Sequence, residues 1–422
     1  MSDSVQIKRP GWCCVQPGHR EQYGIPRALH EVAVLDRLIT DLWVQPDSWL
    51  MRTAPERLRR KLRDRFHSGL PADKVKDYPW HAFAWEAEAG LRRLRDSEKI
   101  SAHNAWWESL VARQLRGHLA PSTGFVFGYS YASRALFAAT SQLGRTSVLG
   151  QIDPGPIEDA KVMELGKKWS AYRTTHVAGS NEYYANWREE CRLAKRIVVN
   201  SEWSRVALFK AGIDREKIIV CPLVYTPPLE TAGWEKSYPP AFTENRPLRL
   251  LSLGQCILRK GIAETIEAAH HLINRPVEFT FVGNTNIAGF EEHFQGARIR
   301  YIPRVSRAEC HAFYRNAEVF LFPTHSDGFG LTQLEAQAWK LPIIASAFCG
   351  EVVEPGRTGW ILPDVSGSAM VKVIEEILTV PARLNRYSTE ISPWPFGLNE
   401  LGHKLVALVD EFEVGRPRMN IT

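Results

Sequence analysis

The chain has 422 residues, which predicts two or three domains, and its hydrophobic fraction of 44% is enough for globular cores. Its net charge of +6 is mildly basic, and the absence of an apolar run of ~18 residues argues against a membrane-spanning helix. Seven scattered cysteines without a Cys-x-x-Cys pair favour a reducing compartment, and the N-terminus lacks the apolar segment of a secretory signal.

The first elements in chain order alternate between strand and helix. A strand is predicted at residues 12–15, a helix at residues 25–38 and a second strand at residues 39–44. A tryptophan-rich, basic insertion follows at residues 46–120, in which we predict helices only. Its most basic part, residues 52–65, fits a solvated helix face or a patch that meets acidic lipid or an anionic acceptor. The cysteine pattern and the lack of a secretory signal lead us to expect a cytoplasmic protein. Contact of the basic part with the inner face of the membrane stays open.

The alternation continues to the middle of the chain. Further strands are predicted at residues 124–130, 146–151, 196–201 and 217–222, and helices at residues 132–143, from Pro156 onward and at residues 202–213. The last of these helices has Asn200 or Ser201 as its predicted N-cap. The segment at residues 226–247 has five prolines and little periodicity, which is typical of an interdomain linker.

The second half repeats the pattern more regularly. Strands are predicted at residues 248–254, 277–283, 297–303, 318–323 and 342–346, and helices at residues 261–273, 306–317 and 331–340. This spacing predicts βα units on parallel sheets with both faces covered, and hence an α/β fold. Two such domains place a cleft between the carboxyl ends of their sheets, where ligands bind in open α/β folds.

The same reading gives the domain boundaries. We predict an N-terminal Rossmann-like domain at residues 1–228, which contains the insertion, and a linker at residues 229–247. A C-terminal Rossmann-like domain follows at residues 248–390. A helical segment at residues 391–422 is predicted to return to the N-terminal domain.

Two carboxylates, Asp327 and Glu335, flank a Gly-Phe-Gly turn in the stretch HSDGFGLTQLEAQAWKLPII. Because the chain has no Asp-x-Asp and no histidine pair at ligand spacing, we expect no metal site. An acid–base pair needs both groups at one bond, but a helical rise of ~1.5 Å per residue separates these two by several ångströms. A glycine turn at a helix N-terminus suits phosphate, and the carboxylates then suit sugar or ribose hydroxyls. A plain turn before a solvated helix fits the pattern as well.

This stretch resembles the acid-x7-acid signature of retaining glycosyltransferases of family four, which have the GT-B fold. Other motifs follow that family's order, namely NSEWSRVALFKAGIDREKIIVCP (200–222), SLGQCILRKG (252–261), FVGNTN (281–286) and GEVVEPGRTGWILP (350–363). The resemblance covers residues 196–365 closely and the first 195 residues by architecture alone. It implies two Rossmann-like domains that face each other across a cleft, with a nucleoside-diphosphate sugar held mainly by the C-terminal domain.

The resemblance also implies roles for residues of the donor site. Glu335 would bind the ribose hydroxyls, and Asp327 would hold the donor sugar and its phosphate. Arg259 and Lys260 would neutralise the leaving diphosphate, so that neither a metal nor a further cofactor is expected. The backbone of the turn would contribute through Gly328, Phe329, Gly330 and Leu331. Arg304 and Val305 stand where the family contacts the base.

The chain departs from the family pattern at several of these places. Asp327 replaces the usual glutamate and withdraws the carboxylate by one methylene, so the preferred sugar can differ. Gln255 replaces the usual arginine and removes one positive charge from the diphosphate. Lys340 replaces the glycine that usually ends the signature helix, where a left-handed residue costs about 1 kcal/mol.

The acceptor side departs further. The histidine often found in the family is not evident, and Gln151 and Asp153 lie at its place. Asp153 fits either a substrate contact or the N-cap of the helix at Pro156. The loop at residues 17–26 has fewer glycines than is usual, and we predict substrate contacts from Tyr23 and Gly24.

The resulting hypothesis is a retaining, metal-independent glycosyltransferase with a glycan, lipid-linked or small-molecule acceptor, as in polysaccharide biosynthesis. A nucleotide-sugar-binding partner subunit without activity is the first alternative, motivated by Gln255 and the missing histidine. Another GT-B chemistry, such as a phosphorylase or a sugar-nucleotide epimerase, is the second. No nucleic-acid partner is expected.

Overall fold

The computed structural model describes residues 9–94, 96–175 and 178–413, and these residues form two α/β domains. The N-terminal sheet consists of β1 Gly11–Gln16, β2 Leu35–Thr40, β3 Val75–Asp77, β4 Thr123–Tyr129, β5 Thr146–Gly150, β6 Arg196–Val199 and β7 Ile218–Val220. The C-terminal sheet consists of β8 Leu248–Leu253, β9 Val277–Val282, β10 Ile299–Ile302, β11 Val319–Phe322, β12 Ile343–Ala345 and β13 Gly359–Ile361. Their strand orders are β3-β2-β1-β4-β5-β6-β7 and β10-β9-β8-β11-β12-β13, and every strand pair is parallel.

Helices connect the strands and cover both faces of the sheets. In the first part they are α1 Gly24–Glu31, α2 Trp49–Thr53, α3 Glu56–Arg63, α4 Pro79–Leu91, α5 Asp96–Gln114, α6 Arg134–Gln142, α7 Pro156–Lys168, α8 Asn181–Leu193 and α9 Glu202–Lys210. In the second part they are α10 Ile262–His271, α11 Arg307–Asn316, α12 Leu331–Ala338, α13 Gly367–Thr379, α14 Ala382–Glu390 and α15 Leu398–Glu413.

The central strand β1 shows why this sequence builds a sheet covered on both sides. All six residues of GWCCVQ are buried, and side chains of a strand alternate between its two faces. Trp12 and Cys14 accordingly belong to one hydrophobic cluster, and Cys13 and Val15 belong to another. The predicted α/β architecture with two parallel sheets is therefore confirmed.

The predicted boundaries near the N-terminus were wrong. The helix predicted at residues 25–38 ends at Glu31, and the strand predicted at residues 39–44 already begins at Leu35. A left-handed residue, Ala33 with φ +59°, ends the helical path. The chain then pairs at once with β1, since the Trp12 amide donates to the Val34 carbonyl at 2.8 Å. The insertion was also not helical throughout, because it contributes the edge strand β3.

The chain crosses between the domains twice. Leu223 precedes the proline-rich segment, and its carbonyl accepts a hydrogen bond of 3.0 Å from the indole of Trp394 on the returning segment. Helix α15 then packs on the N-terminal domain, where Leu401 and Leu405 are buried in the same cluster as Trp12. The two crossing segments are thereby tied together beside the domain boundary.

Lys340 follows α12 with φ +58°, which confirms the left-handed position predicted for it. Its ammonium donates to the Ile391 carbonyl at 2.5 Å. This bond joins the end of the signature helix to the second crossing segment and offsets part of the backbone strain of about 1 kcal/mol.

None of the helices in the described part of the chain has the length and apolar character needed to cross a bilayer. In the basic stretch, Arg59 and Arg63 lie near Glu56 at 3.2 and 3.9 Å, and neighbouring Trp49 is 71% exposed. Contact of this surface with a membrane stays a prediction. All seven cysteines are free thiols.

Candidate active site

A cleft of about 460 Å³ lies between the domains, at the carboxyl ends of β8 and β11. The C-terminal domain lines it with Ser252, Leu253, Gly254, Gln255, Arg259, Lys260, Leu321, Phe322, Asp327, Phe329, Gly330, Leu331 and Thr332. The N-terminal domain contributes Arg20, Glu21, Ile152 and Asn200, and Leu223 lies at the crossing. This is the position in which open α/β folds bind ligands.

Lys260 and Asp327 form the polar centre of the cleft. The Lys260 ammonium contacts Asp327 Oδ2, and Arg259 Nη1 lies 4.0 Å from the same oxygen. The side chains of Lys260 and Asp327 are only 18% and 16% exposed. Burial and then the positive charge of Arg259 lower the pKa of Lys260 to about 7, while the negative charge of Glu158 opposes the shift. Two cations therefore lie side by side at the edge of the cleft.

Arg259 also connects the two domains. Its Nη1 lies 3.3 Å from Glu158 Oε2 on α7 and donates to the Ser326 carbonyl at 2.5 Å. The Ser326 hydroxyl donates to Glu158 at 2.9 Å and accepts from the Trp203 indole at 3.0 Å. Burial raises the pKa of Glu158, and the charge of Arg259 opposes the rise. These contacts hold the guanidinium at the boundary where both domains meet the cleft.

Packing, as well as access for a ligand, requires glycine at both ends of the Gly-Phe-Gly turn. A Cβ at Gly328 would lie 2.5 Å from the Ile152 carbonyl oxygen of the other domain. Gly330 has φ +88°, and a Cβ there would overlap the ring of Phe322. Helix α12 begins directly after it at Leu331, and the amides of a first helical turn have no acceptor within the helix. The turn thus leaves backbone N–H groups at the cleft beside two cations.

A further glycine fixes the turn that carries Arg259 and Lys260. Gly261 has φ +71°, and a Cβ there would overlap the carbonyl oxygen of Pro323 after β11. We expect Gly261→Ala to lower the free energy of unfolding by about 2–4 kcal/mol, from left-handed strain of ~1 kcal/mol and an overlap of ~1–3 kcal/mol. Urea-induced unfolding followed by fluorescence measures this loss.

Gly212→Ala is the matched control for that experiment. Gly212 has φ +89°, but no atom lies within 4 Å of its Cβ position. We expect a loss of about 1 kcal/mol from backbone strain alone. Equal losses for the two variants would show that the Pro323 carbonyl does not constrain the turn.

Glu335 lies in a separate network from Asp327. Its Oε2 accepts from the Tyr314 hydroxyl at 2.7 Å, and Arg307 Nη2 lies 3.7 Å from its Oε1. The Glu335 side chain is 19% exposed and is not among the residues that line the cleft of about 460 Å³. The two acids share no contact among the described residues, which gives an acid–base pair no geometric basis.

The structure brings some of the other predicted residues to the cleft and leaves others away from it. Gln255, Phe329 and Leu331 line it. Arg304 is exposed, and Val305 packs partly buried against the C-terminal core. Neither is among the lining residues of the cleft.

In the first loop, the residues that line the cleft lie a few positions before the predicted ones. Tyr23 is fully buried and packs edge-on against Trp43, and Gly24 is buried at the start of α1. Arg20 and Glu21 line the cleft instead. The reason lies in the backbone, because Glu21, Gln22 and Tyr23 are all left-handed, with φ of +51°, +52° and +59°. No signal in the sequence predicts three such residues in a row.

Arg20, Glu21 and Asn200 are the polar residues of the N-terminal domain that line the cleft and that the sequence did not assign to it. Glu21 accepts from the Tyr129 hydroxyl at 3.2 Å. Burial raises the pKa of Glu21 to about 7, with the Tyr129 hydrogen bond opposing the rise. Asn200 was expected only as a candidate cap, and Ser201 is the cap of α9, accepting from the Ser204 amide at 3.1 Å.

Asp153 lies in a second cavity, of about 590 Å³, that adjoins the cleft and shares Arg259 with it. Its Oδ1 accepts from the Tyr131 hydroxyl at 2.7 Å, the Gln151 amide at 3.0 Å and the Gly155 amide at 2.9 Å. The N-cap of α7 is Gly155, so the capping role considered for Asp153 was wrong. Asp153 and Gln151 therefore form part of the wall beside the donor cleft.

Metal ligands are not grouped in the part of the chain that the structure describes, where no three His, Cys, Asp or Glu residues could hold an ion together. The positive charge of the cleft comes from Lys260 and Arg259 and, on the N-terminal side, from Arg20. The absence of a metal requirement stays a prediction.

Comparison with known protein families finds a match in the C-terminal domain. Residues 237–391 match the model of a family described as Glycosyl transferases group 1. The matched stretch holds the C-terminal sheet and the motif residues between Gln255 and Glu335.

Curated relatives match over limited stretches. The chain is 30% identical over 136 residues to the capsular polysaccharide biosynthesis glycosyltransferase CapM of Staphylococcus aureus, which covers 30% of this chain and 35% of CapM. It is 36% identical over 95 residues to a D-inositol 3-phosphate glycosyltransferase of Kineococcus radiotolerans, which covers 20% of this chain and 22% of that protein. The chain thus matches about a third or less of the length of these relatives.

Solved structures match over nearly the whole chain. HepE of Anabaena in complex with UDP and glucose superposes with a TM-score of 0.59 at 12% identity, over 96% of this chain and 100% of that one. The catalytic domain of starch synthase IV of Arabidopsis thaliana, bound to ADP and acarbose, gives a TM-score of 0.63 at 11% identity, over 96% and 99%. At these identities the likeness shows the fold, and the predicted GT-B architecture is confirmed.

Proposed function

We propose that this chain, whose residues 237–391 belong to the glycosyl transferases group 1 and whose two domains have the GT-B fold, moves a sugar from a nucleoside diphosphate to a hydroxyl acceptor. We further propose that the transfer retains the configuration of the sugar and needs no metal. The acceptor in this proposal is a glycan, a lipid-linked sugar or a small molecule.

The single observation that carries the proposal is the anion site at the centre of the interdomain cleft. Lys260 and Arg259 lie beside the open amides of α12, and all of them border the same space. Cations and a helix N-terminus stabilise the negative charge that builds on a departing diphosphate. The solved structures of similar fold contain UDP or ADP, which supports a nucleoside diphosphate as the ligand here.

The proposed reaction exchanges one bond at the anomeric carbon for another on the same face. The bond from that carbon to the diphosphate oxygen breaks, and its electron pair stays on the diphosphate beside Lys260 and Arg259. The acceptor hydroxyl oxygen forms the new bond, and its proton passes to the leaving phosphate oxygen. This transfer needs no protein base, so the missing histidine does not block it.

Asp327 and Glu335 are assigned separate tasks within this proposal. Asp327 lines the cleft beside Lys260 and would accept hydrogen bonds from the donor sugar. Glu335, which accepts a hydrogen bond from Tyr314, would accept further hydrogen bonds from the ribose hydroxyls. Carboxylates with partly free lone pairs suit vicinal hydroxyls.

A screen of nucleoside diphosphates and their sugars tests the proposal. A ligand that binds only the folded protein stabilises it by RT ln(1 + [L]/Kd), about 2.7 kcal/mol at a hundredfold excess over Kd. We expect one nucleoside-diphosphate sugar to raise the melting temperature more than the others and to be consumed when acceptor glycans are added.

The outcomes of the screen separate the alternatives. Stabilisation by a donor without turnover on any acceptor would favour a nucleotide-sugar-binding partner subunit. Conversion of the donor sugar without transfer would favour an epimerase. No stabilisation by any nucleoside diphosphate, but turnover with inorganic phosphate, would favour a phosphorylase and overturn the proposal.

A further inference from the structure

Two adjoining cavities lie on the acceptor side of the donor cleft. The first has a volume of about 590 Å³ and shares Arg259 with the donor cleft. The second, of about 260 Å³, shares Ser101, Tyr131, Ser180 and Tyr183 with the first. The first cavity therefore has a wall in common with both the donor cleft and the second cavity.

The charge on the described walls of these cavities is opposite to that of the chain. The chain carries a net charge of +6. The first cavity is lined by four acids, namely Glu98, Asp153, Glu158 and Asp159, and the second by Glu108, Glu182 and Glu190. The same walls contribute two guanidinium groups.

Both of those guanidinium groups already contact carboxylates. Arg259 lies 3.3 Å from Glu158, and Arg134 lies 3.6 Å from Glu108. Burial raises the pKa values of Glu158 and Glu190, and Asp159 already accepts from the Gly179 amide and the Tyr184 hydroxyl. Without these three, the four remaining acids still outnumber the two cations, which leaves the described walls with an excess of negative charge that an anionic acceptor would have to overcome.

After burial, the charges of these acids also contribute to the pKa values of neighbouring groups. Burial and then the negative charge of Asp153 raise the pKa values of Tyr131 and Tyr183, with Arg20 opposing the shift of Tyr183. Burial, and to a smaller extent the negative charge of Glu108, raises the pKa of Glu190 to about 7. A cation in the cavities would relieve the repulsion among these carboxylates.

A separate observation points to a ligand that donates hydrogen bonds. Asn286 lines the first cavity, and its Oδ1 is buried without a hydrogen-bond donor among the described residues. A buried acceptor that is left unpaired costs about 1–3 kcal/mol. An ammonium or hydroxyl group of a ligand would satisfy this oxygen, and a phosphate would not.

The shape of the walls suits a ring compound. Tyr131 and Tyr183 stack at 4.9 Å with an interplanar angle of 14°, and Tyr184 packs edge-on against Tyr183 at 5.3 Å. Aromatic surfaces cover the apolar faces of saturated rings and attract cations. The Tyr131 hydroxyl is held by Asp153, which fixes this wall beside the donor cleft.

We propose that the acceptor is a polyhydroxylated ring compound that carries at least one protonated amine, as in an amino sugar or an aminocyclitol. The amine lies among the carboxylates of the two cavities, and a hydroxyl of the same ring faces the donor. The negative charge of the cavity walls disfavours phosphorylated and carboxylated acceptors. The inference rests on the proposed glycosyl transfer and specifies the substrate class of that site.

Matched ring compounds test the inference on the full chain in the presence of the nucleoside diphosphate that the screen identifies. Methyl glucosaminide, methyl N-acetylglucosaminide, methyl glucoside and glucose 6-phosphate differ in the charge that they carry. Titration followed by saturation-transfer NMR should show the amine bound about tenfold more tightly than its N-acetyl form, as one charge-assisted hydrogen bond predicts. Glucose 6-phosphate should bind most weakly.

Substitutions of two surface acids and of one control residue test whether the preference for the amine arises in these cavities. Glu98→Gln and Glu182→Gln should each reduce the preference for the amine, because both residues line the cavities and are exposed. Glu164→Gln should leave the preference unchanged, since Glu164 contacts Lys161 at 2.6 Å and lies outside both cavity walls.

The outcomes distinguish this inference from the proposed function. If the nucleoside diphosphate identified by the screen binds but the amine is not preferred, or if none of the four compounds binds, the assignment of the acceptor is wrong and the donor site stands. If no nucleoside diphosphate binds, the proposed function itself fails. A preference that survives both cavity substitutions unchanged would also overturn the assignment.

Discussion

Replacing Lys260 by methionine is expected to lower kcat/KM for the nucleotide-sugar donor by about 10²–10³, the usual effect of removing one preorganised group that stabilises developing charge. Methionine keeps the aliphatic length that packs over the Phe322 ring, where the ammonium lies 4.8 Å from the ring centre. The change therefore removes charge and little packing. Initial rates with the donor identified by thermal-shift screening measure the loss.

Lys372→Met is the control for the loss of a positive charge as such. Lys372 is exposed on α13 and outside the cleft, so kcat/KM should remain within about twofold. A small effect at Lys260, equal to that at Lys372, would mean that the diphosphate is not placed beside this ammonium.

The pH dependence of nucleotide binding gives a second readout for Lys260. Its pKa is lowered to about 7 by burial and by Arg259, so the side chain is increasingly neutral above pH 7 in the absence of ligand. A diphosphate favours the charged form, and binding above pH 7 must then take up a proton. The Kd of the nucleoside diphosphate identified by the screen should rise by up to tenfold per pH unit above pH 7, and this slope should disappear in Lys260→Met.

The C-terminal domain could be predicted closely because local patterns determine it. Short apolar runs alternate with amphipathic segments, and each strand from β8 to β12 lies within the range expected for it. Its site is local as well, since Arg259 and Lys260 follow one strand and Asp327 follows another in the same sheet. Neighbouring parallel strands bring such loops together without help from distant parts of the chain.

The acceptor side could not be predicted in the same way, because its geometry depends on backbone conformations and contacts between domains. Ala33 and the three left-handed residues at 21–23 have no glycine to indicate them. The left-handed Ala33 ends the helical path, so that α1 stops earlier than predicted, and the left-handed residues at 21–23 direct Tyr23 into the core. Glu158 meets Ser326 across 168 positions of sequence, a contact that no local pattern contains. The acids that line the cavity of about 260 Å³, Glu108, Glu182 and Glu190, were missed for the same reason.

The two acids of the signature should differ in the kinetic parameter that they change. Glu335→Gln should raise KM for the donor by about tenfold and leave kcat nearly unchanged, because ribose contacts persist from the bound donor to the transition state. Asp327→Asn should lower kcat by about 10²-fold, since the carboxylate contacts Lys260 and lies beside the reacting end of the donor. Steady-state kinetics with varied donor separates the two effects.

Tyr314→Phe and Asp327→Glu extend this comparison to positioning and to the choice of sugar. Tyr314→Phe removes the hydroxyl that holds Glu335 at 2.7 Å and should reproduce a weaker form of the KM effect, with kcat retained. Asp327→Glu restores the length usual in the family and brings the carboxylate one methylene closer to the donor. We expect it to change the ratio of kcat/KM values between donor sugars that differ at one hydroxyl, while UDP alone binds as before. If Asp327→Asn and Glu335→Gln both raised only KM, neither acid would act on the reacting sugar, and the assignment of Asp327 would have to be abandoned.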